Sequence, residues 1–256
     1  MELKDLTKEQ KKIITDKYEA LEPKLIELAL YVDPLNGYEY VDLGEAGIWA
    51  KYPIGVTEWN EESLDKIKYF QWGDTVGYTK SQVGVDKEFS YSHKDYKFSG
   101  NRPLNYGDPQ LTKYCTNAKY GENKTFTDNL TVLLPEDDAC TVNMGGNWRM
   151  PTKEDFEKLM SSKTTNNYHD NYNGVPGLTG VSFHSKSDYS KHIFLPTSGY
   201  CADGSVKDEG AIFFWSSSLN VSSSNSAYNL KIYIDYYTTY NYRYYGYPII
   251  GILNSN

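Results

Sequence analysis

The sequence predicts an α+β domain of short antiparallel strands with few helices and long loops, preceded by an N-terminal helical segment. Three observations favour this class. Apolar and polar residues alternate over short stretches bounded by Gly, Asn and Pro, as in half-buried strands. Residues 75–129 are polar and rich in Gly, Asn and Lys, which is typical of long loops. Helical spacing is confined to residues 1–33 and to the stretch after Thr152.

The segment 1–33 is rich in Lys and Glu, and its apolar residues recur at helical spacing: Ile14, Tyr18, Leu21, Leu25, Leu28 and Val32. This pattern predicts an amphipathic helix with a capping box at Thr7 and Gln10. Pro23 should kink or divide it. Two interpretations stay open. The helix packs on its own domain, or it serves as a short segment for attachment or homo-oligomerisation.

Residues 34–256 are predicted to form the domain. Strand patterns occur at 38–43, 47–50, 67–72, 191–195, 212–216, 227–234 and 238–245. One internal helix is predicted over 152–160, with loop between it and the strand at 191–195. Thr152 can cap this helix, Asp155 stands at the third position of a capping box, and Phe156, Leu159 and Met160 should face inward.

Composition excludes several classes of protein. The chain carries 34 acidic against 26 basic residues, a net charge of −8, which argues against binding nucleic acid through its phosphates. It contains no apolar run long enough to span a membrane, and Met1 to Asp5 lacks the apolar core of a signal peptide. Its three cysteines are an odd and sparse set, so we expect buried thiols and no disulfide framework.

The C-terminal strip is the most informative feature. Nine of the twenty residues from Tyr228 to Tyr247 are Tyr, and seven of the eleven from Ser216 to Ser226 are Ser. Tyr offers rigid contact area, while Ser and Asn offer adaptable hydrogen bonds. Burying nine phenol hydroxyls would require nine partners, so we predict a partly exposed recognition surface. The alternative is that the rings fill the core and the cross-strand positions, since Tyr is a good strand former.

Residues that would carry catalysis are missing. His93, His169, His184 and His192 have no metal-ligand spacing, and each is expected to be a surface or turn residue. The chain has no nucleophile elbow and no phosphate-binding loop. The acidic run at 136–138 offers Asp137 and Asp138 as a calcium or acid–base pair, against a solvated loop as the alternative. We expect no enzymatic activity, no cofactor and no metal.

Several motifs occur in order along the chain: YVDLG at 40–44, WA at 49–50, YFQWG at 69–73, PEDDA at 135–139, GGNWRMPT at 145–152, FLPTSGY at 194–200, FWSSS at 214–218 and RYYGY at 243–247. Together they resemble the Fibrobacter-type major paralogous domain common in Bacteroidetes and their phages. The resemblance covers about residues 38–253, and GGNWRMPT is its most specific part. It implies a C-type lectin-like fold of the formylglycine-generating-enzyme branch over 34–256.

The GGNWRMPT run has a structural interpretation. Its two glycines allow a tight backbone path, its tryptophan anchors the core, and Pro followed by Thr starts a helix. Arg149 is expected to pair with the carboxylates at 136–138. Residues expected to belong to the scaffold are Trp148, Arg149, Trp215 and Gly246, while Phe214 and Ser216 should lead into the site.

Some proteins of this fold are variable proteins of diversity-generating retroelements, found at phage tail-fibre tips and on bacterial surfaces. The resemblance implies that a segment of about 216–247 is rewritten at adenines, often in AAY codons. Replacing the two adenines of such codons cannot yield Lys, Gln, Glu, Met or Trp. Between 216 and 247 the only such residue is Lys231, which we therefore expect to be framework. Strand propensity alone also enriches Tyr and Thr.

The implied function is ligand recognition on a virion or bacterial cell surface, with a host-cell-surface protein or glycan as partner. The expected contact residues are Asn220, Ser222, Ser223, Asn225, Tyr233, Asp235, Tyr236, Thr239, Tyr240, Asn241, Tyr242 and Tyr244. Two alternatives stay open: a surface or adhesin domain of the same fold without diversification, and an enzyme of the formylglycine-generating type. The oxidase branch uses a late cysteine pair, yet no cysteine follows Cys201. The Glu-Pro-Asn, Gln-Pro-Asp and Trp-Asn-Asp motifs of calcium-dependent lectins are absent too.

Overall fold

The computed structural model describes residues 35–84, 87, 89–100, 110–233 and 235–254. The N-terminal segment 1–33, with its expected helix, lies outside the described residues. Within them the chain forms five small sheets of antiparallel strands and three short α-helices, so the predicted strand-rich α+β class is confirmed. None of these helices is long and apolar enough to cross a membrane.

The strands are β1 (Tyr40–Asp42), β2 (Ile48–Pro53), β3 (Lys68–Phe70), β4 (Tyr78–Thr79), β5 (Trp148–Arg149), β6 (Thr164–His169), β7 (Gly180–Ser185), β8 (His192–Pro196), β9 (Tyr200–Ala202), β10 (Ser205–Lys207), β11 (Ile212–Leu219), β12 (Ser226–Ile232), β13 (Tyr236–Tyr242), β14 (Tyr247–Pro248) and β15 (Ile250–Leu253). The α-helices are α1 (Ser63–Lys66), α2 (Ala139–Met144) and α3 (Lys153–Leu159). Single 3₁₀ turns lie at Gly44–Ala46, Lys80–Gln82, His93–Asp95, Ala118–Tyr120, Glu122–Lys124, Pro135–Asp137 and Tyr172–Gly174.

The first and last described strands share one sheet, in the order β1-β2-β15-β5. Trp49 on β2 and Trp148 on β5 are both buried, and they flank the last strand, where Ile252 pairs with Trp49. Phe156 of α3 packs 5.7 Å from Trp49, ring centroid to ring centroid. The two ends of the described chain are therefore fixed in the core by large side chains.

The predicted internal helix is confirmed. The Thr152 hydroxyl accepts from the Asp155 N–H at 3.2 Å, and the Asp155 carboxylate accepts from the Thr152 N–H at 2.9 Å, which completes a capping box. Gly145 and Gly146 have φ of 67° and 57°, in the left-handed region where glycine is favoured. The tight path expected of this run is what the backbone adopts.

The prediction that Arg149 pairs with the carboxylates at 136–138 is wrong. Its guanidinium binds Asp155 at 2.7 Å, because the capping box brings that carboxylate beside the helix start. Asp137 is buried and bound to Lys97 at 2.7 Å and Lys113 at 2.5 Å. Burial raises the pKa of Asp137, but the hydrogen bonds from the two lysines outweigh it and hold that pKa below its ordinary value.

Asp138 is a structural residue as well. Its carboxylate caps α2 by accepting from the Thr141 N–H at 2.9 Å, and it accepts from the Met150 N–H at 2.9 Å. Burial raises the pKa of this carboxyl group. Asp137 and Asp138 thus form ties between chain segments, and the expectation of a solvated loop holds only for the exposed Glu136.

Some elements were not predicted. The stretch expected to be loop between α3 and residue 191 contains β6 and β7, which form a sheet with β8. β6 reads TTNNYH and is exposed over most of its length, so it lacks the apolar alternation that identifies strands. The expected thiol state is confirmed: Cys115, Cys140 and Cys201 are free and buried.

Candidate recognition surface

The C-terminal strip forms a three-stranded antiparallel sheet in the order β11-β12-β13. Strand β11 is buried along its whole length and β12 along most of it, whereas β13 lies at the edge. The β12–β13 ladder is unbroken from the pair Ser226–Tyr242 to the pair Ile232–Tyr236. Successive residues of β13 such as Tyr236 and Tyr237, which lie on opposite faces of the sheet, are both exposed.

Five tyrosines of this sheet are exposed, with 37% to 68% of each residue accessible: Tyr233, Tyr236, Tyr237, Tyr240 and Tyr242. Tyr228, Tyr244 and Tyr245 are half-buried. Tyr247 is completely buried, stacked on Trp215 at 4.2 Å, and its hydroxyl accepts from the Asn241 amide at 2.9 Å. The predicted partly exposed aromatic surface is thus present, and one of the nine rings belongs to the core.

Most of the expected contact residues lie on this edge. Tyr233, Asp235, Tyr236, Tyr240 and Tyr242 are exposed. Half-buried members of the same sheet or its continuation are Thr239, Asn241 and Tyr244. The edge itself carries no charge between residues 236 and 242.

The remaining expected contact residues lie in and beside the serine-rich loop that precedes β12. Ser222 is exposed, and Ser223 and Asn225 are half-buried with a 2.7 Å hydrogen bond between their side chains. Asn220 departs from the expectation of surface contact, because it is 4% exposed and its side-chain oxygen accepts from the Ser222 N–H at 3.1 Å. Such a bond to the backbone two residues on shapes a turn. Asn220 therefore shapes the loop and does not face outward.

The loop is fixed to a second part of the chain. Thr116 donates its hydroxyl to the Val221 carbonyl at 2.9 Å, and its N–H donates to the Ser224 hydroxyl at 3.0 Å. The hydroxyls of Ser223 and Tyr120 lie 3.2 Å apart, within hydrogen-bond distance. These bonds fix the loop 221–225 to the segment 116–120.

Arg243 is the main residue that sequence reasoning missed. It is completely buried, and the cation lies over four aromatic rings, nearest to Trp72 at 4.6 Å. Its guanidinium donates to the carbonyls of Tyr114, Ser224 and Lys113 at 2.9 to 3.1 Å. Burial lowers its pKa. The sequence shows only an arginine in a neutral strip, and that signal does not distinguish a surface cation from a buried one.

Tyr237 and Tyr245 were also left out of the predicted set. Tyr237 lies on β13 and is 40% exposed. Tyr245 joins a cluster in which Tyr242 stacks on Tyr244 at 5.3 Å and Tyr200 approaches Tyr245 at 5.4 Å. Lys231, expected to be framework, lies with its ammonium 5.5 Å from the Phe213 ring. It lines a pocket of about 430 Å³ together with Asp208 and Tyr233.

A histidine cluster lies in the β6–β7–β8 sheet and corrects the expectation of isolated surface or turn histidines. Ser182 lies between His169 and His184, with its hydroxyl 2.7 Å from each Nε2. His184 and His192 stack at 4.5 Å, and the Nε2 of His192 lies 2.8 Å from the hydroxyl of Tyr172. In the two outer rings, burial lowers the pKa of His169 and of His192.

The proton positions in this cluster follow from its acceptors. The Nδ1 of His184 faces the Tyr189 carbonyl, so the tautomer with its proton on Nδ1 fits, and in that tautomer Nε2 accepts from the Ser182 hydroxyl. Ser182 then accepts from the Nε2–H of His169. Although flanked by two imidazoles, Ser182 is completely buried and closed to a substrate, which argues against a nucleophilic role.

A cleft of about 790 Å³ lies beside the cluster and is lined by His192, Trp59, Tyr52, Lys51 and Asp42, among others. Lys51 and Glu39, which both line this cleft, form an ion pair at 2.6 Å. In the described part of the chain, no group of three or more His, Cys, Asp or Glu residues is placed to hold a metal ion.

Comparison with known proteins adds no neighbour. No family model, curated protein or solved structure matches the chain.

Proposed function

We propose that this chain is a ligand-recognition protein with a C-type lectin-like scaffold, and that the β13 edge and the loop 221–225 form its diversified surface. The proposed class is a variable protein of a diversity-generating retroelement, acting on a virion or a bacterial cell surface and binding a host-cell-surface receptor. The observation that carries the proposal is the exposure of four tyrosines, at 37% to 56% each, on the uncharged edge strand β13, with Tyr233 exposed just before it.

The burial pattern supports a division into surface and framework. Tyr rings would anchor a partner, surrounded by Ser, Thr and Asn that make adaptable hydrogen bonds. Beneath them, Arg243, Trp215 and Tyr247 are completely buried and fix the sheet. A surface whose side chains are rewritten needs such a foundation, because exposed substitutions are tolerated and buried ones are not.

Sequencing sibling genomes tests this proposal. We expect substitutions concentrated at the exposed positions 222, 233, 235, 236, 237, 240 and 242, with Arg243, Trp215, Tyr247 and Lys231 constant. We also expect a neighbouring reverse-transcriptase gene with a template repeat that matches codons 216 to 247. Variation spread evenly over the chain, with no template repeat nearby, would favour the alternative of a non-diversified adhesin domain.

A further inference from the structure

The edge of the recognition sheet presents backbone groups as well as side chains. The Arg243 N–H donates to the Asn225 carbonyl at 3.1 Å, just beyond one end of the β12–β13 ladder. At the other end, the Tyr233 N–H donates to the Asp235 carbonyl at 3.4 Å. Hydrogen-bonded pairs recur at every second residue of an antiparallel ladder. Residues 237, 239 and 241 therefore direct their N–H and C=O groups toward β12.

The intervening residues Tyr236, Thr238 and Tyr240 direct their N–H and C=O groups away from the sheet. Among the described residues, no strand or bridge pairs with this side of β13. Tyr242 differs, because its N–H donates to the Asn241 side chain at 2.9 Å and its carbonyl accepts from the Tyr245 N–H at 3.0 Å. The open row thus runs from 236 to 240, with outward groups repeating about every 7 Å.

Nothing in the strand blocks pairing with another chain. Natural edge strands are protected by Lys, Pro, bulges or short length. β13 has seven residues, reads YYTTYNY, and keeps its register with β12 without a bulge. An unprotected edge of this kind is the template that β-strand addition uses.

We propose that β13 binds an extended polypeptide segment of the partner protein by strand addition along residues 236–240. This inference deepens the proposed function and rests on it, since it names the partner of the same surface. A row of alternating donors and acceptors at strand spacing matches a polypeptide backbone. Pairing of two copies of this chain is disfavoured by repulsion between molecules that each carry a net charge of −8.

Strand addition is also compatible with a surface whose side chains are changed by mutagenesis. Backbone hydrogen bonds supply affinity whichever side chain follows them, and the side chains on alternate faces supply specificity. Replacement of Tyr236 or Tyr240 by most other residues leaves the outward N–H and C=O in place. The backbone is then a constant anchor, and only the side-chain contacts vary.

The test uses the full-length chain and a random linear peptide library as the probe. Thr238→Pro removes one outward N–H and no ladder bond, and proline is tolerated at such edge positions. Thr238→Val keeps the N–H and the side-chain shape. For the selected peptides we expect Thr238→Pro to weaken binding about tenfold and Thr238→Val to leave it nearly unchanged.

A second arm does not depend on the folding of the proline variant. Each selected peptide is resynthesised in two forms. In one form the backbone N–H groups of the odd-numbered residues are methylated, and in the other those of the even-numbered residues. We expect one of the two methylated forms to lose binding and the other to bind nearly as well as the unmodified peptide. Equal behaviour of the two methylated forms, the absence of any selected peptide, or a wild-type dimer in sedimentation that Thr238→Pro dissociates would each overturn strand addition by a partner.

The double variant Tyr236→Ser with Tyr240→Ser separates the two proposals. If it abolishes binding while Thr238→Pro and peptide methylation do not, recognition through the tyrosines stands and strand addition fails. If none of these changes affects binding, the surface is not the recognition site and both proposals fail.

Discussion

The guanidinium Nε of Arg243 donates a 2.7 Å hydrogen bond to the phenol oxygen of Tyr96, with both groups buried. This bond joins the end of β13 to a loop almost 150 positions earlier in the chain, since the two residues are 147 apart. The same guanidinium donates to the carbonyl of Tyr114 and to that of Ser224, which belongs to the serine-rich loop. Arg243 thus fixes the end of β13 and the loop 221–225 to the core.

We predict that Arg243→Met lowers the free energy of unfolding by about 3–5 kcal/mol, because it leaves several buried oxygens without a donor. Arg243→Lys should recover little of this, since one ammonium cannot reproduce the planar arrangement of donors. Urea denaturation measures both. The control is Lys231→Met, which should change stability by less than about 1 kcal/mol. A small effect at position 243 would mean that this arginine is not the anchor of the sheet.

Exposed and buried tyrosines of the strip should respond differently to truncation. Tyr233→Ser and Tyr240→Ser should each cost less than about 1 kcal/mol, because these rings are more than half exposed. Tyr247→Ser should cost about 3–5 kcal/mol, since it empties a completely buried site against Trp215. Thermal melting of the three variants makes the comparison. A large loss at Tyr233 or Tyr240 would mean that these rings are part of the core.

The sequence predicts the helix at Thr152 and the exposed aromatic edge for local reasons. A capping box is a contiguous signal, and the number of phenol hydroxyls limits how many rings can be buried. Both features depend on neighbours in the sequence or on composition. They need no knowledge of which strands are adjacent.

Tertiary pairing determines the features that the sequence does not reveal. Arg243 finds its partners at Tyr96 and Tyr114, far away in the chain, so no local pattern identifies it as buried. Tyr237 lies on β13, and the position of that strand at the edge of its sheet is a property of the topology. The histidines of β6, β7 and β8 meet through strand register in the same way, for example in the pair His184–His192.

The histidine cluster predicts a stability that depends on pH. Burial lowers the folded-state pKa of His169 and His192, so the unfolded chain binds more protons just below an ordinary histidine pKa of about 6.5. The contribution of these two histidines to the free energy of unfolding is therefore complete above the ordinary histidine pKa. It is lost as the pH falls from there toward the lowered folded-state pKa values. Melting temperatures measured between about pH 5 and pH 8 should rise with pH in this window.

The double variant His169→Gln with His192→Gln is the matched control, because it removes both shifted groups and keeps a hydrogen-bonding side chain at each position. Its melting temperature should vary less over the same pH range. If the slope of the wild-type protein persists in the double variant, other titrating groups cause it and the cluster is not the origin.

Asn229 offers a prediction about the centre of the β11–β12–β13 sheet. Asn229 is completely buried on β12 and pairs across the ladder with Thr239. Neither the nitrogen nor the oxygen of its side-chain amide has a hydrogen-bond partner among the described residues. A buried polar group without a hydrogen bond costs about 1–3 kcal/mol. Asn229→Leu should therefore stabilise the fold by about 1–2 kcal/mol in urea denaturation, whereas Asn229→Asp, which buries a charge, should destabilise it strongly. A loss of stability in the leucine variant would mean that the amide is solvated or bonded in solution.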